Sequence, residues 1–175
     1  MDTPAETLTD GVVSLRRWRA TQRDEQLALI AGSREHLGAW MIWATNGYDA
    51  DDSAEYLERA ERQWEDGESF DYAIYASEEL AGGCGLMWRE GGREIGYWLG
   101  RGFTGRGLMT RSVTLLVAEA FARGAGYVEI KHDELNVRSG AVPARLGFSK
   151  VGEEPAEKPL APACGGTNHV WRKDS

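Results

Sequence analysis

Cysteine is scarce in this chain of 175 residues: Cys84 and Cys164 are too few and too far apart for a disulfide framework or a Cys-x-x-Cys redox pair. Histidine is limited to His36, His132 and His169, scattered along the sequence, so no metal site is expected. Long apolar runs are missing. The most apolar stretch, Val113 to Ala118, is interrupted by Thr114 and stopped by Glu119, far short of the roughly 20 residues a bilayer span needs. Positive charge is also in deficit, with 20 Lys and Arg against 28 Asp and Glu and a formal charge of -8, which leaves no basic field to hold DNA or RNA. No basic region followed by an apolar run opens the sequence, so no secretory signal is expected. These absences predict a soluble, cytoplasmic protein that engages neither nucleic acid nor membrane. A hydrophobic content of 42% over this length suits one domain spanning residues 1–175.

What charge there is lies unevenly. Residues 51–68 carry eight acids and only Arg59 and Arg62 as bases. Between Arg89 and Arg111, five arginines face two acids, Glu90 and Glu94, making a basic island in an acidic chain. An anionic small ligand would go there, the plainer alternative being arginines that solvate turns.

Hydrophobic spacing orders the elements. Gly11 to Arg19 alternates like a strand; Thr21 and Ser33 are placed to start two helices, and Asp52 or Ser53 a third. In that third helix Tyr56, Leu57, Ala60 and Trp64 form one apolar stripe, which makes Trp64 a core residue. Residues 70–76, 80–88 and 94–99 alternate like three antiparallel strands joined by tight turns. Behind the glycine loop 100–107, Met109, Val113, Leu116 and Ala120 recur at helical spacing. Residues 127–132 read as a strand, 136–146 as a helix closed by Gly147, and 148–152 and 167–172 as two last strands. Pro143 inside the helix 136–146 removes an N–H and so frees the carbonyl of Ser139.

A strand, a glycine loop and an amphipathic helix in succession bring backbone N–H groups and a positive helix end together, an arrangement suited to a phosphate. A P-loop is excluded because Gly107 is followed by Leu108 and Met109 rather than Lys and Ser or Thr. Gly100-x-Gly102-x-x-Gly105 satisfies the bare dinucleotide fingerprint. However, the strands before it look antiparallel, and glycines stand where the ribose-binding acid would fall.

Glu94-Ile95-Gly96-Tyr97-Trp98-Leu99 followed by Gly105-Arg106-Gly107 resembles the GNAT acyltransferases, in particular the branch that acetylates N-terminal residues of ribosomal proteins. Asn136-x-x-Ser139-x-x-Val142-x-x-x-Leu146-Gly147-Phe148 is similar to the helix and strand of the same branch, at the expected distance. The resemblance implies an α+β, three-layer fold: a mixed, mostly antiparallel twisted sheet of about six to seven strands, helices on both faces, and a parallel strand pair that splays apart. It implies acetyl-CoA as cosubstrate, with its pyrophosphate on the backbone of Phe103, Thr104, Gly105, Arg106, Gly107, Leu108 and Met109. Arg101 and Arg106 would add charge, and the pantetheine arm would lie along Trp98, Leu99 and Gly100. Asn136 matches a family position that bonds that arm, and is also a natural helix N-cap.

Direct transfer needs a neutral amine, a polarised thioester carbonyl and a proton for the departing thiolate. The family often puts its base at the position of Glu94, whose plainer role is an ion pair with Arg93 or Arg89. Ser139 stands where many relatives carry a tyrosine acid, and would hydrogen-bond the sulfur. The amide of Leu99 or Gly100 would polarise the carbonyl. The resemblance implies a primary amine as acceptor, either a protein N-terminus or a small molecule, walled by Trp40, Met41, Trp43, Tyr48, the acidic helix and residues 155–166. Trp40 and Trp43 either fill the core, the simpler reading, or stack on a flat substrate. Two alternatives stay open: a larger donor such as succinyl-CoA, with Arg16, Arg17 or Arg34 as its cation, and a module that holds CoA without turnover. Pairing into a homodimer is also left open.

Overall fold

The computed structural model describes residues 2–175. Its strands are β1 (Thr7–Thr9), β2 (Val13–Arg17), β3 (Ser69–Ala76), β4 (Glu79–Arg89), β5 (Gly92–Leu99), β6 (Tyr127–Asp133), β7 (Ser149–Pro155) and β8 (Thr167–Asp174). They form one sheet in the order β1-β2-β3-β4-β5-β6-β8-β7. Every neighbouring pair is antiparallel except β5 and β6, which run parallel. The strand beyond the expected six to seven is β1, whose three residues are too few to display alternation.

The helices are α1 (Arg23–Gly32), α2 (Arg34–Gly38), α3 (Ile42–Thr45), α4 (Ala50–Asp66), α5 (Leu108–Ala122) and α6 (Val137–Arg145). Thr21 does not cap α1; it lies inside a 3-10 turn, Ala20–Gln22, that precedes the helix. The acidic helix opens earlier than Asp52, because Asp49 caps it: the Asp49 carboxylate accepts the Asp52 N–H and the Asp52 carboxylate accepts the Asp49 N–H, both at 2.9 Å. Ser33 precedes α2 without capping it; its hydroxyl oxygen instead accepts the Arg101 N–H at 2.9 Å, tying the early helices to the glycine loop.

The sheet is covered on both faces, which is why β3 reads as a nearly continuous apolar run. Tyr72 and Ile74 pack with Leu86 and Ile95 against Val113, Leu116 and Ala120 of α5. On the opposite face Ala73 and Tyr75 meet Trp18, Leu57 and Ala60, the last two from α4. Trp64 is core as expected, wedged between Phe70 and Tyr72 with ring centroids 5.1 Å from each. The exception in β3 is Asp71, a carboxylate in the middle of a strand buried on both sides.

Candidate active site

Parallel strands β5 and β6 pair only from Gly92–Tyr127 to Ile95–Ile130, then part, although β5 continues to Leu99 and β6 to Asp133. Which backbone groups face the gap follows from the ladder on the other side of β5. The Gly100 N–H donates to the Ala81 carbonyl at 2.8 Å, and in an antiparallel ladder alternate residues turn the same way. Gly96, Trp98 and Gly100 therefore direct their backbone groups to β4, whereas Tyr97 and Leu99 direct theirs into the gap. Of the three residues expected along the pantetheine arm, only Leu99 offers its amide, and Tyr97 supplies the second. The same accounting removes Gly100 as a donor to the thioester carbonyl and leaves Leu99.

A cavity of about 410 Å³ opens where the strands part, lined by Tyr97, Lys131, Asn136 and Ser139, by Trp40 to Trp43, and by the connection between β7 and β8. Asn136 caps α6, its side-chain oxygen accepting the Ser139 N–H at 3.3 Å, so the cap and the cavity wall are one residue. The carbonyl that Pro143 frees does find a partner. The Tyr97 hydroxyl donates to the Ser139 carbonyl at 2.7 Å and lies 3.4 Å from the Ser139 hydroxyl. Burial pushes the Tyr97 phenol up to about 12, softened by its hydrogen bond to Ser139, so it remains protonated. Sequence reasoning assigned no role to Tyr97; the one signal was the proline four residues beyond Ser139, which required some donor to arrive.

The glycine loop makes a 3-10 turn at Arg101–Phe103 and enters α5 through Gly105 and Gly107, with φ of 74° and 73°. Both lie in the left-handed region open to glycine, and nothing stands within 4 Å of where a Cβ would project. The backbone N–H groups from Thr104 to Met109 have no partner among the described residues. They lie at the start of a helix of 15 residues, a setting that favours an anion. Arg101 and Arg106 are exposed and make no ion pair among the described residues; Arg106 lies over the Phe103 ring, 5.5 Å from its centroid.

The family profile described as an acetyltransferase (GNAT) domain matches residues 13–149. The chain belongs to the GNAT acetyltransferase family. It is 31% identical over 137 residues to the Bacillus subtilis (strain 168) protein named "Putative ribosomal N-acetyltransferase YdaF", covering 74% of each. Its fold superposes with a TM-score of 0.88 on the microcin C7 self-immunity acetyltransferase MccE, solved with acetyl-CoA and AMP. That match has 22% identity and covers 95% of this chain and 94% of the other. It superposes at 0.89 on RimL, the ribosomal L7/L12 alpha-N-protein acetyltransferase, solved with coenzyme A, at 20% identity and 97% and 98% coverage. Acetyl-CoA is accordingly the cosubstrate of this GNAT chain and an amine its acceptor. The unpartnered N–H groups of the loop fit a diphosphate, and the free amides of Tyr97 and Leu99 fit an extended, amide-bearing arm.

The remaining expected site residues divide. Glu94 lines neither of the two cavities that meet at β5 of this GNAT domain. Arg89 donates to it at 2.6 Å and 3.0 Å, and Lys131 stands 3.6 Å away, on the part of β5 still paired with β6. Its plainer role, an ion pair with Arg89, is the one the geometry displays. Arg16 is paired with Glu78, and Arg17 with Glu6 and Glu65, on β2, three strands from the split. Trp43 is 40% exposed and lines both cavities, so it is no core residue. His132 has both ring nitrogens occupied: Nε2 accepts from the Trp171 indole at 2.9 Å, and Nδ1 therefore carries the proton it shares with the Asp133 carbonyl at 2.8 Å. Burial holds its pKa below the usual histidine value, against the pull of that carbonyl.

A second cavity, about 480 Å³, lies on the α1 and α4 face of the sheet and shares Trp43, Gly96, Tyr97 and Trp98 with the first. Asp52, Glu55 and Arg59 of α4 are at its rim, and Tyr48, Tyr56 and Asp71 complete its wall. Cys84 borders it, and burial, then the neighbouring Asp71, pushes that thiol well above its ordinary value. Cys164 borders the first cavity and is also raised, chiefly by burial.

Proposed function

We propose that this enzyme carries out direct acetyl transfer: acetyl-CoA occupies the β5–β6 gap with its pyrophosphate on residues 103–109, and a primary amine arrives through the second cavity. The observation that carries this is that the two cavities share Gly96, Tyr97 and Trp98, the stretch of β5 that loses its β6 partner. Donor and acceptor thus have separate entrances and one meeting place. No acyl-cysteine is needed, because both cysteines keep their protons. The Leu99 amide would polarise the thioester carbonyl. Ser139 would relay to the departing thiolate the proton that the new amide nitrogen sheds, its hydroxyl being oriented by the Tyr97 oxygen 3.4 Å away. An acetyl donor suits the site better than a succinyl donor, since Arg16 and Arg17 are committed elsewhere and Arg34 lines neither cavity.

The acceptor is a protein N-terminus or a small-molecule amine. A panel of hexapeptides with free N-terminal Ser or Ala, polyamines and aromatic amines, incubated with acetyl-CoA and read by thiol release, tests the proposal. Release that depends on one class of amine is expected. CoA binding without release for any amine would make the protein a binding module instead.

A further inference from the structure

Asp71 is a carboxylate that the fold has gone out of its way to accommodate. It occupies a strand buried on both faces, and no cation of the described residues lies within ion-pair distance of it. Its partners are two hydroxyls: Ser69 donates to Oδ1 at 2.8 Å and Tyr56 to Oδ2 at 3.1 Å. Both neutralise little of its charge, and burial raises its pKa, an effect that those two bonds and the more distant Arg59 charge on the same cavity only partly offset.

The glycines of β4 and β5 show what the carboxylate is aimed at. Asp71 pairs with Gly85, and Gly85 with Gly96, so the three form one row across β3, β4 and β5. A Cβ at position 85 would stand 2.3 Å from Asp71 Oδ1, so the carboxylate lies directly over the β4 backbone. One strand spacing further, about 5 Å, is Gly96, the first residue of β5 beyond the last β6 pair. A Cβ on Gly96 would meet only the Met87 methyl, at 3.3 Å. One row along, Gly83 lets the Trp98 indole lie over β4 in the same way, 2.6 Å from where its Cβ would be. The floor of the second cavity is therefore bare backbone between a carboxylate and an indole. It runs to the point where donor and acceptor meet. Trp98 continues into Trp43 and Tyr48 through edge contacts at 5.8 Å and 5.5 Å, which makes the opposite wall apolar.

We propose that Asp71 receives the ammonium of the acceptor over this glycine floor and removes its proton, and that the acceptor is a primary amine carried on an apolar body that rests against Trp43, Tyr48 and Trp98. This rests on the acetyl-transfer route proposed above and names its base. The ammonium gives one proton to the Asp71 carboxylate, and the freed lone pair forms the C–N bond at the thioester carbonyl carbon. The C–S bond then breaks with its electrons on sulfur, which is protonated as the amide nitrogen loses its surplus proton. Asp71 returns its own proton to solvent.

The test uses phenethylamine as acceptor and ligand, 2-phenylethanol as its uncharged counterpart, and CoA binding by calorimetry as a separate control. Wild type is expected to bind phenethylamine in preference to 2-phenylethanol and to acetylate it. Asp71→Asn should lose that preference, keep wild-type CoA affinity, and drop kcat/KM by about 100-fold or more, the size of a lost general base. Gly85→Ala, which displaces the carboxylate while leaving it in the chain, should reproduce the loss. Acetylation by Asp71→Asn within threefold of wild type, or no preference for the ammonium in the wild type, overturns the assignment of Asp71. Failure of the wild type to bind CoA would instead overturn the donor site, so the two failures are distinct.

Discussion

Replacing Gly105 and Gly107 by alanine separates the cost of a strained loop from the loss of a phosphate cradle. Both residues sit near φ of +74°, and nothing lies within 4 Å of either missing Cβ, so alanine meets no clash and pays only for its conformation. That cost is about 1–2 kcal/mol per residue, or roughly 2–4 kcal/mol for the pair. For a chain of this size the melting temperature should fall by about 4–16 °C, well within what a stable domain survives. Where the loop relaxes out of the left-handed region to escape that cost, ligand binding suffers far more. The N–H groups of Thr104 to Met109 face an anion only while the loop keeps its shape, and each hydrogen bond to a charged group contributes about 1.5–3 kcal/mol. Losing two such bonds weakens CoA by about 3–6 kcal/mol, a rise in Kd of roughly 100-fold to 10,000-fold. Calorimetry with CoA and with pantetheine, which lacks the pyrophosphate, reads the two effects apart. Pantetheine affinity should move less than threefold. An equal loss for both ligands would mean that the loop does not hold the pyrophosphate.

Other outcomes follow from single side chains. Glu94→Gln breaks a partly exposed ion pair with Arg89, so stability should change by about 1 kcal/mol or less and turnover by less than threefold; a 100-fold loss of turnover with CoA still bound would restore Glu94 as the base. Tyr97→Phe leaves the Ser139 carbonyl, freed by Pro143, without its donor and should cost about 1–3 kcal/mol in chemical denaturation; a loss below 0.5 kcal/mol, by order of magnitude, would show that water replaces the hydroxyl. Lowering the pH should destabilise the fold through His132. Its folded pKa lies below the ordinary value of 6.5, so the unfolded chain takes up the proton first, and the contribution is whole above that value and lost as pH falls beneath it. Urea midpoints at pH 7.5 and 5.5 should therefore differ less in His132→Gln than in wild type, and an unchanged difference would sink the assignment.

The fold was legible because its main elements obey a period. The stripe of Met109, Val113, Leu116 and Ala120, all buried, and the alternation of β3 to β5 are local facts that packing then uses. What escaped were features with too few residues to show a period, such as β1, and boundaries set by side-chain chemistry rather than hydrophobicity. Asp49 outcompetes Asp52 as the cap of α4 because only the earlier residue leaves the later one free to close the reciprocal pair of hydrogen bonds.

The proposed donor side can be read in the sequence for the same reason, and the proposed acceptor side cannot. A cradle of backbone N–H groups is written in consecutive residues, so its glycines announce it. The cavity proposed to take the acceptor is written across strands: Asp71, Gly85 and Gly96 lie 14 and 11 positions apart and become neighbours only through two antiparallel registers. Read singly, Asp71 is one acid among many and Gly85 one glycine in a glycine-rich strand. Glu94 adjoins the motif in sequence, but contiguity in sequence does not by itself place a residue at the gap within a sheet. Its place two residues before Gly96 on the same face leaves it beside Arg89 and Lys131, where opposite charge is close and the gap has not yet opened. Asp71 is farther away along the chain and is bonded directly only by two hydroxyls, with Arg59 on the same cavity wall acting at longer range, so in the proposal above it keeps charge to offer an incoming ammonium.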